Sequence, residues 1–402
     1  MSYSNTPNQS GFAQTTDDIF SGYIVPELAQ DYFKAARRVS VVQQLSQQVP
    51  LGPSGQKVPH FNRSNVQAQW VAEGGRKPTT KGGLSMQFIQ PHKIAAIIVD
   101  SAEVVRLNPG EYITYMQDAV GQAIGKAFDD AVLHGIGSPF PKYLDQTSKI
   151  NSLGTTSHGG SPNLYLDMAV DSLKKLTADK NVDGLRYKWT GTALDVTAEP
   201  ILNGAVDSLG RPLFNEPTYS GEASPLRPGS IVGRPTFLSE FIESDTGVLG
   251  YMGDFSQMVW GQIGGISYSV SNEASVTLGG DLVSLWEHNL VAILVEAEFG
   301  LLINDVNAFV KLGQYAYTLA GNGVAGSTKL TVNGVQTGAI TVGTGGIKAA
   351  DVNAALAAAG ISGVRAAGLA GIDDNTSGVV SLMSDSAVTK ADTTTATTLT
   401  AK

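Results

Sequence analysis

The chain has 402 residues, 42% of them apolar, which is enough to bury a real core and too long for one ordinary domain, so two or three domains are expected. Its 36 acidic residues outnumber 27 basic ones for a formal charge of -9, with no long block of either sign. That balance argues against a tight, sequence-reading nucleic-acid binder. There is no cysteine, which removes disulfides, thiolate nucleophiles, iron–sulfur clusters and the strong zinc spacings in one step.

Met1 to Phe20 is polar and rich in Ser, Asn, Gln and Thr, with neither the basic start nor the apolar run of a signal peptide. The chain is expected to stay in the cytoplasm where it is made. No apolar run approaches the roughly 18 residues of a membrane span. The longest, Leu290 to Ile303, is interrupted by Glu296 and Glu298.

Pro26-Glu27 opens a helix in which Leu28, Tyr32, Ala35 and Ala36 recur at helical spacing up to Arg37-Arg38. Val66 to Val71 reads as a strand, Ala72 to Gly83 as a small, polar, charged tip, and Leu84 to Val99 as a second strand with Pro91 inside it. A proline cannot donate to a ladder, so that strand must be an edge, bulged or bent. Together these predict a long hairpin whose tip is Glu73-Gly74-Gly75-Arg76-Lys77-Pro78.

Asn108 as N-cap, Pro109 at the first helical position and Glu111 in the third open the clearest helix of the chain. Ile113, Met116, Val120, Ile124, Ala127 and Ala131 form its apolar stripe, and Gly135 stops it. About 26 residues at 1.5 Å each make a rod of roughly 39 Å. A further helix runs from Leu164 to near Lys180, Tyr187 to Thr190 is strand-like, and Ala198 to Val206 is a short helix. Strands are expected where Ile266, Tyr268 and Val270 alternate with serines, and where Ile293, Val295, Ala297 and Phe299 alternate with Leu294, Glu296 and Glu298. This is α+β order, without the regular βαβ of a nucleotide-binding fold.

Beyond Lys311 the composition shifts to Gly, Ala, Thr and Val, and aromatic residues vanish after Tyr317. Strands at Lys329–Val332 and Ala339–Val342, a helix at Ala349–Ala359 ended by Gly360, and strands at Val364 and Val379–Met383 make a small β-α module before a Thr-rich tail.

Chemistry is hard to place on this chain. The five histidines, His60, His92, His134, His158 and His288, show no metal-ligand spacing. Gly321-Asn322-Gly323-Val324-Ala325-Gly326 fits a dinucleotide pattern literally, but a strand follows where a helix is needed, so it reads as a linker. Asp129-Asp130 point roughly 100° apart on a helix and Asp373-Asp374 sits in a turn, so both pairs read as solvated. No Gly-x-Ser-x-Gly elbow exists. No enzyme activity, cofactor or metal is expected.

Several segments, in this order, resemble the tailed-phage major capsid proteins of the Hong Kong-97 fold. They are Ile24-Val25-Pro26-Glu27-Leu28, Ser40-Val41-Val42-Gln43-Gln44-Leu45, Trp70-Val71-Ala72-Glu73-Gly74 with Pro78, the helix Pro109 to Gly135 ending in Phe128-Asp129-Asp130, Ile231-Val232-Gly233-Arg234-Pro235-Thr236, and Gly253-Asp254-Phe255-Ser256. The resemblance spans about residues 20 to 312. It implies an N-terminal arm (1–25), a first helix and strand of a peripheral domain (26–48) and an extended loop (49–100). A peripheral domain with a spine helix (101–149), an axial domain (150–285) and a return to the peripheral domain (286–312) follow. Residues 313–402 are additional: a linker and a decoration-like β-α module, expected to face outward and to be trimmed by protease without collapse of the shell.

The resemblance further implies self-assembly as hexamers and pentamers into an icosahedral phage head around double-stranded DNA, assembled in the bacterial cytoplasm and carried in the virion. The DNA would be held only by weak, non-specific contact. A portal protein is an implied partner, and, because only about 20 residues precede the first helix, a separate scaffolding protein is another. The expected intersubunit contacts are Trp70, Glu73, Arg76, Lys77 and Lys81 of the extended loop, and the expected spine-helix core is Ile113, Met116, Val120 and Ile124. Some family members join a loop lysine to a neighbour's asparagine, for which Lys77 or Lys81 would serve, but no motif identifies the asparagine. An encapsulin-like nanocompartment shell and a β-rich surface adhesin are the rival readings. The contents of the particle separate out the first, and the missing signal peptide opposes the second.

Overall fold

The computed structural model describes residues 40–62, 68–79, 83–103, 109–153, 157–158, 161–162, 164–181, 184–203, 214, 227–243, 245–369, 371–392 and 395–401. The expected arm, the opening helix at Pro26, the N-cap Asn108 and Lys81 lie outside the described residues, as do the side chains of Ile113 and Met116.

The long helix runs Pro109–Leu133. Val120, Ile124, Phe128 and Val132, four residues apart, are all buried, which is the stripe that a 3.6-residue period lays along one face. Gly135 ends it with φ +70°, where a Cβ would also lie 2.7 Å from the Tyr143 ring. Only glycine meets both demands.

That stripe packs on a four-stranded sheet with the order Gln47–Gln48, Met258–Ser271, Leu290–Ile303, His92–Ser101. The two long inner strands run antiparallel, with Val295 opposite Tyr268 on one side and Ala96 on the other. Val295, Ala297, Phe299, Leu301 and Ile303 are buried, which is the period-2 face expected of a half-buried strand. The Phe128 ring lies 5.1 Å from Phe299 and 6.3 Å from Trp260, so one aromatic residue ties helix to sheet.

The strand expected from Leu84 to Val99 is two strands. Pro91 has no amide hydrogen to give, and the ladder breaks there. Gly83–Ile89 pairs with Gln56–Asn62 as a separate two-stranded hairpin, while His92–Ser101 forms the edge of the sheet above. The first hairpin strand is therefore Gln56–Asn62, and the described residues around Trp70 form turn and loop rather than the strand expected there.

A second, six-stranded sheet has the order Ile150–Ser152, Phe309–Gly313, Val248–Gly253, Gly191–Asp195, Arg234–Ser239, Arg227–Ile231. Pro228 lies on its edge strand, where a missing donor costs nothing. The sheets divide the chain differently from the expected axial segment of 150–285. Met258–Ser271 belongs to the sheet under the long helix, and Phe309–Gly313 belongs to the six-stranded sheet.

The last residues form a unit with its own core, in which Leu319, Leu330, Ile340, Val352, Leu356, Val380 and Leu382 are buried together. Its four-stranded sheet has the order Val364–Gly368, Val380–Ser384, Tyr315–Gly321, Thr397–Ala401, and the helix Ala349–Ala358 lies in the same unit. Tyr315–Gly321 is an inner strand of this sheet and the Thr-rich tail supplies its edge, while residues 322–325 of the expected linker lie outside any strand.

Candidate functional site

The hairpin Gln56–Asn62/Gly83–Ile89 presents an apolar face to solvent. Leu84, Met86 and Phe88 alternate along one strand and are 63%, 60% and 51% exposed. Among the described residues no sheet covers these three large apolar side chains on one face of the two-stranded ribbon, and an exposed apolar row of this kind is the usual mark of a contact surface. Trp70, in the connection between the strands, is fully exposed. Glu73, Arg76 and Lys77 are exposed beside it around a turn closed by the Gly75 amide donating to the Ala72 carbonyl at 2.9 Å. Four of the five loop residues singled out above are thus exposed on this loop, and Lys81 lies outside the described residues. The sequence reading missed Leu84, Met86 and Phe88, although their period-2 spacing is visible. Of the four spine-helix residues, Val120 and Ile124 are buried in the main core.

A second constellation lies where the long helix ends. Asp145, in the 3-10 turn Leu144–Gln146, is buried. It accepts a hydrogen bond from the Tyr251 hydroxyl at 2.7 Å, and the Lys311 ammonium stands 3.3 Å from its carboxylate. The Lys311 ammonium also donates to the Asp145 carbonyl at 2.9 Å. His134 sits with Nδ1 3.1 Å from the carboxylate and Nε2 2.7 Å from the Ile242 carbonyl. A carbonyl only accepts, so Nε2 carries the hydrogen. Burial alone would push the Asp145 carboxyl up, but Lys311, His134 and Arg365 together outweigh it and hold it below the usual carboxylate range.

The C-terminal unit adds Arg365 and Asp374. Arg365 Nε lies 3.7 Å from the Asp145 carboxylate, and Nη2 donates to the His134 carbonyl at 2.6 Å. Asp374 accepts from the Tyr143 hydroxyl at 2.8 Å and stands 3.5 Å from Arg365. Two expectations are corrected here. Asp374 is engaged rather than solvated, because the fold brings a cation and a phenol to it. Asp129 is fully buried rather than solvated, because it accepts hydrogen bonds from the Ser40 hydroxyl and the Val41 amide. The Asp145 cluster was also missed, its one sequence signal being Lys311 in the otherwise apolar strand Phe309–Gly313.

In this cluster the buried charges pair with one another within the fold, while the ribbon presents an apolar row to solvent. The subunit is a β-rich α/β fold whose hairpin leaves an apolar row exposed. The chain belongs to the phage capsid family, whose profile it matches over residues 21–313. It is 51% identical over 304 residues to the probable major capsid protein gp17 of Mycobacterium phage D29, covering 75% of this chain and 92% of that protein. It is 50% identical over 312 residues to the probable major capsid protein gp17 of Mycobacterium phage L5, covering 76% and 93%. Among solved structures it is similar to a chain of Mycobacterium phage Adephagia, with a TM-score of 0.55 at 18% identity over 75% of this chain and 98% of that one. A chain of Microbacterium phage Oxtober96 gives 0.55 at 16% identity over 74% and 98%. Its function is that of a major capsid protein of tailed phages, a virion component that forms icosahedral shells.

Proposed function

We propose that the subunit assembles as hexamers and pentamers into a phage head around double-stranded DNA, with the hairpin Gln56–Ile89 as the strap between neighbours. The observation that carries this reading is the exposed row Leu84, Met86 and Phe88 on a ribbon that no layer covers among the described residues. A neighbouring subunit supplies that layer, and many such contacts in one closed shell add up to a stable wall. On this reading the helix Pro109–Leu133 is the spine, the sheet beneath it belongs to the peripheral domain, and the six-stranded sheet forms most of the axial domain.

The formal charge of -9 suits a wall that lets packed polyanion slide instead of stick. Scaffolding and portal proteins are the further partners of this reading, and assembly takes place in the bacterial cytoplasm. The unit after Gly313 faces outward as a decoration module, a placement supported by its separate core and its position after the capsid fold is complete. Amine-reactive labelling of intact particles should reach its exposed Lys329 and Lys348. Protection of both would contradict the outward placement.

The test of the strap is charge inserted on its exposed face. Leu84→Asp with Met86→Asp should leave the subunit folded by circular dichroism and abolish shells in electron micrographs. Shells at normal yield would refute the strap.

A further inference from the structure

We propose that residues 314–401 are a built-in lock on the capsid fold rather than a tethered appendage: the C-terminal unit completes the buried charge cluster at the end of the long helix and fixes that junction. The family profile stops at residue 313, so the cluster pairs residues inside the profile with residues outside it. His134, Tyr143, Asp145, Tyr251 and Lys311 come from the first group, and Arg365, Asp374 and Ser381 from the second.

The donors show the dependence. Lys311 is buried, and its ammonium has three hydrogens to place. It meets the Asp145 carbonyl at 2.9 Å, the Asp145 carboxylate at 3.3 Å and the Ser381 hydroxyl at 2.8 Å. The last of these exists only with the C-terminal unit in place. Arg365 does the same for the helix: the His134 carbonyl lies past the last helical residue, and the guanidinium both donates to it and puts a cation at the negative end of the helix dipole.

Packing supports the same conclusion independently. Met383 and Ala316 of the C-terminal unit belong to the main core rather than to the unit's own. Gly247, at φ +68°, meets the unit backbone to backbone: a Cβ there would lie 2.5 Å from the Gly363 carbonyl and 2.6 Å from the Ser384 Cα. A Cβ on Gly313 would lie 2.4 Å from the end of the Met383 side chain. The connection has no slack. Gln314 alone separates Phe309–Gly313 from Tyr315–Gly321, the Gly313 carbonyl accepts from the Leu153 amide at 2.8 Å, and the Ala316 amide donates to Ser152 at 3.1 Å. A module joined in this way does not swing. The expected clean trimming by protease is revised accordingly: the junction resists cleavage until the fold itself opens.

The experiment compares full-length wild type with Arg365→Gln and, separately, Ser381→Ala, reading hydrogen exchange by mass spectrometry. Exchange in Arg365→Gln should rise about tenfold or more over residues 130–153 and 309–313, which carry no substitution, and the wild type should unfold in a single thermal transition. Ser381→Ala removes the hydroxyl that accepts from Lys311 and donates to the Ala367 carbonyl, and should raise exchange at 309–313 by a smaller factor, so it decides the matter if Arg365→Gln does not fold. Unchanged exchange in those two segments, or a wild type whose C-terminal unit melts in its own separate transition, overturns the lock.

Discussion

The Val41 amide donates a 2.9 Å hydrogen bond to the carboxylate of Asp129, eighty-eight positions along the chain. A side chain near the end of the long helix thereby holds the start of the short helix Val41–Leu45, whose N-cap Ser40 donates to the same carboxylate. Burial raises Asp129 from 3.8 to about 7, opposed by the bonds from Ser40, Val41 and Val42 and reinforced by Asp130. The folded state thus binds this proton more tightly than the unfolded one. The stabilising contribution is complete below the ordinary 3.8 and is lost as pH rises through about 7. Asp145, held low, behaves in the opposite sense and loses its contribution only under more acidic conditions. Asp129→Asn should therefore flatten the gain in thermal stability expected as pH falls from 7.5 to 5. An unchanged slope would remove Asp129 as its source.

Lys311→Met leaves the Asp145 carboxylate short of its nearest ammonium in a buried site. Removing one partner of a buried pair costs about 3–5 kcal/mol, and His134 and Arg365 keep the loss here near the lower figure. Adding Asp145→Asn should recover part of it. Chemical denaturation of the single and double variants measures both steps.

Phe128→Ala empties the space between the long helix and the first sheet, where the ring meets Phe299 and Trp260. A loss of about 3–5 kcal/mol is expected, with Phe128→Leu costing less. The same denaturation curves provide the check.

Trp286 and Leu282 are each 76% exposed near the end of the first sheet, with Val270 also exposed. Trp286→Ser should leave subunit stability within about 0.5 kcal/mol, as for other surface positions. If this patch is covered in the shell, assembly followed by light scattering slows. Unaltered kinetics would show that the patch remains bare.

Much of the wall was legible in the sequence, because its elements carry local signals. The long helix has a proline at its start, an apolar stripe and a glycine at its end, and the strand Leu290–Ile303 has a two-residue alternation that survives folding. What escaped was set by distant pairing. Pro91 announced an interruption, but only the partners of the two halves show that they enter different sheets. Tyr315–Gly321 and Thr397–Ala401 carry little hydrophobic contrast and become strands by pairing with each other. The Asp145 cluster gathers residues from positions 134 to 381, and no spacing rule spans that interval. Asp129 looked like half of an ordinary surface pair until Ser40 and Val41 were placed beside it.

The most direct test is electron cryomicroscopy of particles formed by this chain. The account predicts closed icosahedral shells in which the ribbon Gln56–Ile89 lies across a neighbouring subunit with Leu84, Met86 and Phe88 covered. Shells in which that face stands free in solvent would contradict it.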